Sequence, residues 1–458
     1  MNAPATHLPP PADAAPLLAR LAAQRAAAAA LPPPEWRGRV SQVLGTLIEG
    51  RVPGARIGEL CELIAPDEAE APMLAEIVGF SERSVLLSAL SALDGVSPRT
   101  EIRPLGRAHA IAVGPHLFGR VLDGFGRPLD LKPLPDCDAP AAAVIRDAPA
   151  PTDRPRITEP MPTGVRAIDG LITLGRGQRV GVFAGPGCGK TTLLAAIARG
   201  ADADAVVFGL IGERGRELRE FLEKELDPGL VAKSVLVCAT SDRTSMERAR
   251  AAFTATAIAE GLRDRGMRVL LLVDSLTRFA RAQREIGLAA GEPPTRGGFP
   301  PSVYTLLPRL IERAGNAGAG SITALYTVLA EADGPSDPIG DEAKSLLDGH
   351  IVLSRRLAEQ GHYPAIDVLA SLSRIMDSVA TPPHTAAARR CRELMARHKE
   401  LELLIRLGEY RPGNDAQADL AVKLQPGLLA LLRQDTHHAD AFEATVAQLC
   451  KLAEQAHG

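Results

Sequence analysis

Residues 184–192 read Ala-Gly-Pro-Gly-Cys-Gly-Lys-Thr-Thr, with an apolar run at 180–183 before them and a helix-forming stretch at 193–198 after them. A strand, a glycine-rich loop and a helix in that order make a P-loop, whose main-chain N–H groups converge on phosphate oxygens at the positive end of the helix. Gly185, Gly187 and Gly189 let the loop wind, and Pro186 and Cys188 lie between them. Lys190 would neutralise the β- and γ-phosphates of ATP, and the Thr191 hydroxyl would ligate Mg2+, with Thr192 completing the nucleotide-binding set. Ala184 stands where the strict pattern has glycine, and the same segment read alone could be a glycine-rich turn.

Hydrolysis needs two further groups. Asp274 closes the run Val269-Leu-Leu-Leu-Val273, so it falls at the carboxyl end of a buried strand, where sheet ligands bind, and it is the expected Mg2+ partner. An acid after an apolar run can equally cap a turn. Glu213, in Ile-Gly-Glu-Arg-Gly-Arg-Glu after the run 206–211, is the candidate to polarise a water beside the γ-phosphate. Among Arg214, Arg216, Glu217, Arg219 and Glu220 it is also readable as a surface acid.

The elements that must hold these residues follow from patterning. After Gly164, apolar runs at 179–184, 206–211, 235–238, 269–273, 322–328 and 351–353 alternate with helical stretches, which predicts a mostly parallel sheet covered by helices. Short apolar runs at 60–64, 75–78 and 85–87, broken by Gly, Pro and Asp, predict a small N-terminal β-barrel. Prolines crowd 128–162, which suits an extended connector. From about Thr385 the apolar spacing is helical to the end. The expected organisation is a tail at 1–34 with one short helix around 17–25, a β-barrel at 35–105, a RecA-like α/β ATPase domain at 106–384 and a C-terminal helical domain at 385–458.

The 458 residues amount to about three domains at roughly 150 residues each. Balanced charge (52 Lys+Arg against 55 Asp+Glu) and 3% aromatics leave neither a basic footprint nor stacking platforms, which argues against nucleic acid as a partner. Cys61, Cys137, Cys188, Cys238, Cys391 and Cys450 form no CxxC, so neither a zinc site nor a disulfide scaffold is expected. No apolar stretch reaches the roughly 18–20 residues of a membrane span, and a cytosolic compartment fits.

Several ordered motifs then carry a family resemblance: Gly119-Arg-Val-Leu-Asp-Gly-Phe-Gly-Arg-Pro128, the P-loop, Gly212-Glu-Arg-Gly-Arg-Glu217, Asp274-Ser-Leu-Thr-Arg-Phe-Ala280, Gly291-Glu-Pro-Pro294, and Tyr363-Pro-Ala-Ile-Asp367 running into Ser371-Leu-Ser-Arg374. From about Trp36 onward the chain resembles the type III protein secretion ATPases, kin to the catalytic subunits of rotary ATP synthases. The resemblance implies that Lys190 and Thr191 bind phosphate and Mg2+, Glu213 is the catalytic carboxylate, Asp274 holds the magnesium shell and Arg214 is a phosphate-side arginine. It implies that Tyr363 packs on adenine and that Arg374 reaches into the neighbouring subunit's site. Read without the family, Tyr363 could be core and Arg374 could pair with Asp377.

The resemblance further implies a cytoplasmic homohexamer peripherally associated with the inner membrane. Its pore loop at 296–302 would face a central coiled-coil stalk protein, and a stator-like regulator would bind the N-terminal tail. Chaperone–substrate complexes and the export gate would be further partners, with hydrolysis releasing chaperones and unfolding substrates. The segment Gly408-Glu-Tyr410 is more similar to the injectisome branch than to the flagellar export ATPases. A non-hydrolysing ring subunit would lack a catalytic carboxylate, and an RNA-translocating hexamer would show more barrel aromatics than Trp36 and Phe80.

Overall fold

The computed structural model describes residues 14–29, 36–65, 72–134, 139–329 and 337–456. Six strands, β1 (Gly38–Leu44), β2 (Leu47–Arg51), β3 (Glu59–Ile64), β4 (Met73–Phe80), β5 (Val85–Ala89) and β6 (Glu101–Ala108), close a barrel in the order β1-β2-β5-β4-β3-β6. Inward residues such as Ile48, Leu63, Ile77, Leu87 and Ile102 fill its interior, which makes a packed core with no channel. A buried ion pair joins barrel to core: Glu76 on β4 accepts from Arg250 on the helix Ser245–Arg263.

Among its described residues the connector at 128–162 carries one short strand and one short 3-10 turn. β7 (Ala110–Ala112) and β9 (Ala141–Ala143) pair antiparallel, while β8 (Arg120–Leu122), lying between them in sequence, joins the edge of the central sheet. The fully buried Arg313 anchors the connector by donating to the Val144 carbonyl at 2.7 Å while it pairs with Glu260.

The central sheet adds β10 (Arg179–Ala184), β11 (Ala205–Ile211), β12 (Ser234–Ala239), β13 (Arg268–Asp274), β14 (Gly315–Ala317), β15 (Gly320–Leu329), β16 (Gly349–Leu353) and β17 (Leu372–Ser373). Its order is β17-β16-β10-β15-β13-β11-β12-β8, parallel from β16 to β8, with β14 and β17 antiparallel to their neighbours. Every residue of β11 and β12 is buried, because helices cover both faces. At Gly209 the Ala255 methyl lies 3.1 Å from where a Cβ would stand, so the missing side chain lets the helix Ser245–Arg263 pack close to β11. Parallel alignment places the carboxyl ends of β10, β11 and β13 along one edge, where P-loop, Glu213 and Asp274 follow.

The helices Pro382–Leu407, Ala416–Leu432 and Phe442–Glu454 form the C-terminal bundle and pack on the helix Arg166–Leu171. The first begins three residues before the expected Thr385, because Pro382 and Pro383 suit a helix's opening turn, and it stops at Gly408 in the left-handed region, φ 74°. In the tail, the helix Ala14–Ala29 spans the expected 17–25 stretch, with Leu17, Leu18 and Leu21 exposed; the rest of 1–34 lies outside the described residues. Five cysteines are free, and burial pushes the Cys61 and Cys238 thiols up to about 12; Cys137 lies outside the described residues. Among the described residues no helix is long and apolar enough to cross a membrane.

Candidate nucleotide-hydrolysis site

β10 ends at Ala184 and the helix Lys190–Gly200 begins six residues later, leaving 185–189 as the loop between them. Gly187 and Gly189 take φ of 77° and 79°, a region where a β-carbon would be strained. Gly189 caps the helix with no side-chain acceptor, so the first-turn N–H groups remain available to an anion. Cys188 is buried and packs its sulfur toward the Pro186 carbonyl, a small loop residue as expected.

Lys190 leaves this loop for two carboxylates: its Nζ lies 2.6 Å from Asp274 Oδ1 and 3.7 Å from Glu213 Oε1. Asp274 is 2% exposed, and its Oδ1 also accepts from Thr327 Oγ1 at 2.6 Å, a hydroxyl supplied by the adjacent strand β15. A buried carboxylate held by a cation and a hydroxyl has its orientation set by both. Thr191, Glu213 and Asp274 line one cavity of about 350 Å³.

Glu213 is no surface acid. Gly212, at φ 68°, turns the chain in after β11, and Arg278 Nη1 meets Glu213 Oε1 at 2.7 Å. Burial and the Asp274 carboxylate push the Glu213 pKa up, while Lys190 and Arg278 oppose them. The net push is upward, so Glu213 is more basic than an exposed glutamate, which suits a group that polarises water. Arg278 sits on the helix Leu276–Ala289, whose N-cap Ser275 accepts from the Arg278 N–H.

The structure does not bring Arg214 into this cluster. Its side chain is 78% exposed and pairs with Glu217 at 3.2 Å, because the helix Gly215–Glu220 begins there and turns it outward. Arg278 is the arginine that touches Glu213, and sequence reasoning missed it although it lies inside the Asp274-Ser-Leu-Thr-Arg motif. Arg374 is exposed and its guanidinium donates to the Lys344 carbonyl at 3.1 Å. Asp377 pairs instead with Arg389 at 3.0 Å, so the local ion pair considered for Arg374 is not formed.

A second cavity of about 350 Å³ continues from the other side of the loop. Gly189, Thr192 and Leu193 form its floor, Tyr363 one wall, and Gly164, Val165 and 434–438 the others. Tyr363 is 44% exposed, so it is not a core residue; a Cβ at Gly189 would meet its ring edge at 3.7 Å. A phosphate chain on the loop would thus leave its base between Tyr363 and the C-terminal segment. The donor set also suits Mg2+. One hydroxyl and one carboxylate, with no cluster of three His, Cys, Asp or Glu among the described residues, suit a hard ion that keeps its waters and takes phosphate oxygens.

Three family models match: the ATP synthase alpha/beta family nucleotide-binding domain over residues 164–373, that family's beta-barrel domain over 40–106, and the T3SS EscN ATPase C-terminal domain over 380–451. The chain is 60% identical to the type 3 secretion system ATPase of Pseudomonas syringae pv. tomato over 427 residues, 91% of this chain and 94% of the relative. It is 45% identical to the flagellum-specific ATP synthase of Bacillus subtilis over 415 residues, 91% of this chain and 94% of that one. Its structure matches the assembled ATPase EscN of the enteropathogenic E. coli type III secretion system with a TM-score of 0.85 at 48% identity, covering 91% of this chain and 100% of that one. EscN in complex with its central stalk EscO matches at 0.84, with 47% identity and the same coverage.

Proposed function

The chain belongs to the ATP synthase alpha/beta family and, within it, to the type 3 secretion system ATPases, and on that premise we propose how it hydrolyses ATP and what the hydrolysis drives. Gly185 to Thr192 cradle the phosphates, Lys190 exchanges its contact with Asp274 for the β- and γ-phosphates, and Glu213 orients and polarises the attacking water. Thr191 and Asp274 would hold Mg2+, which when bound neutralises charge on the phosphate oxygens. Arg278 fixes the Glu213 carboxylate, and Tyr363 stacks on the base. The observation that supports this reading is the chain of contacts Arg278, Glu213, Lys190, Asp274, Thr327 at the end of the sheet.

The Arg374 guanidinium is exposed and donates to the Lys344 main-chain carbonyl outside both cavities, which supports a role in a neighbouring subunit's site, as do the assembled forms of the similar EscN. The working unit we propose is a homohexamer around a central coiled-coil stalk, cytoplasmic and peripheral to the inner membrane. A stator-like regulator would sit at the tail, and turnover would release chaperones from export substrates and unfold them for the export gate. The greater identity to injectisome enzymes than to the flagellar relatives favours the injectisome.

The test is Mg2+-dependent ATP turnover per mole of protein against protein concentration, with oligomer size recorded in parallel and Lys190→Ala as blank. Specific activity should rise as hexamers appear. Arg374→Ala should assemble and bind nucleotide with turnover about 1000-fold lower, the scale of an arginine supplied in trans. Mixing it with Glu213→Gln should restore some rate through hybrid sites. Failure of confirmed mixed hexamers to recover any activity would remove the in-trans role.

A further inference from the structure

The side chain of Gln434 joins the walls of the base cavity. It lies just beyond the helix Ala416–Leu432, in the C-terminal bundle, yet it bonds to Gly164, Arg166 and Tyr363 of the ATPase domain. Its Oε1 accepts from the Arg166 N–H at 2.9 Å, and its Nε2 donates to the Gly164 carbonyl at 2.7 Å and to the His438 carbonyl at 2.8 Å. Its own N–H donates to the Tyr363 carbonyl at 3.0 Å. One residue therefore ties the 164–166 loop, through its side chain, and the aromatic wall, through its main-chain N–H, to the 435–438 segment that follows it.

Neighbouring bonds fix this residue in turn. The Arg166 guanidinium donates to the carbonyls of Leu431 at 2.8 Å and Ala430 at 3.3 Å, which the end of the helix leaves without partners. The Asp440 N–H donates to the Gly164 carbonyl at 3.1 Å, so that oxygen accepts twice and has no lone pair left for a ligand. Both N–H bonds of the Gln434 amide are likewise occupied inside the protein.

We propose that Gln434 is a positioning residue for nucleotide binding: it sets the width of the base cavity without reading the base. The inference rests on the nucleotide-site reading above and adds the origin of the cavity's shape. A side chain with both donors engaged by carbonyls has no N–H to offer a purine, and losing it frees the 164–166 loop and the His438 carbonyl while the main-chain bond to Tyr363 stays. Substitution should therefore lower affinity for any purine nucleotide equally and leave the phosphate contacts alone.

The experiment measures kcat and KM for ATP, with inhibition constants for ADP, GDP and inorganic tripolyphosphate, on hexamers of the full chain. Gln434→Met, which keeps the volume without hydrogen bonds, and Gln434→Glu, which keeps the acceptor and loses both donors, should each raise the ATP KM about tenfold with kcat within twofold. ADP and GDP should weaken by the same factor and tripolyphosphate should be unchanged. An unchanged KM in both variants would overturn the proposal. So would a loss confined to ADP, which would make Gln434 a base contact, or an equal loss for tripolyphosphate, which would make the effect a general disturbance. Lys190→Ala is measured alongside: if it kept full turnover and tripolyphosphate binding, the nucleotide-site reading would fail, and not the assignment of Gln434.

Discussion

Lys190, Glu213 and Asp274 stand at or just beyond the ends of β10, β11 and β13, three strands whose parallel register brings them to one edge, and every one of them is charged and mostly buried. Gly164, Tyr363 and Gln434, which line the second cavity, come from segments up to 270 residues apart and meet through neutral hydrogen bonds near solvent. The difference separates two kinds of work. Preorganised charges in a water-poor site act on the developing transition state, whereas a shaped, partly exposed wall contributes similar binding before and during reaction. Damage to the first half should appear in kcat, and damage to the second in KM.

The strongest challenge to that division is removal of the phosphate-side groups. Glu213→Gln should lower kcat by about 100- to 10,000-fold while nucleotide still binds, the range expected for a lost general base. Steady-state ATPase assays with fluorescent-ADP titrations would check this, and full activity in the variant would move the catalytic role to another residue.

A smaller effect sharpens the electrostatic part. Glu213 must be ionised to act; burial and Asp274 push its pKa up, and Arg278 is one of the two cations opposing them. Arg278→Ala removes that opposition, so the pKa rises further and the acid limb of the kcat/KM profile moves to higher pH. The loss should be larger at pH 6 than at pH 8, with partial retention in Arg278→Lys. A profile that drops in height without moving would mean that Arg278 acts elsewhere.

The mildest test belongs to the base half. Tyr363→Ala should raise the KM for ATP about tenfold, since one base–aromatic stack contributes about 1–3 kcal/mol, and should leave kcat nearly unchanged. A collapse of kcat in an assembled ring would dissolve the division between the two halves.

Much of the first half was legible before any coordinates. A P-loop binds through consecutive main-chain N–H groups, so its glycines, lysine and threonines must be contiguous. Parallel strands buried on both faces appear as uninterrupted apolar runs, which put Asp274 at a strand end and Glu213 just past one. Arg214 and Arg278 mark the limit. Arg214 adjoins Glu213 in sequence but faces solvent because a helix begins there, whereas Arg278 arrives from another helix to make the contact. Asp377 likewise lies three residues from Arg374 and pairs with Arg389.

Gln434 had no sequence signal: an isolated glutamine after a helix is ordinary, and its partners acquire meaning only when the C-terminal bundle docks on the helix Arg166–Leu171. The amino-acid sequence by itself determined the main strands, the phosphate loop and the carboxylates at the strand ends, because each depends on residues close along the chain. Only the tertiary structure decided which arginine meets Glu213 and how the base cavity closes, because a side chain's partners are set by long-range packing that brings distant segments within hydrogen-bonding distance.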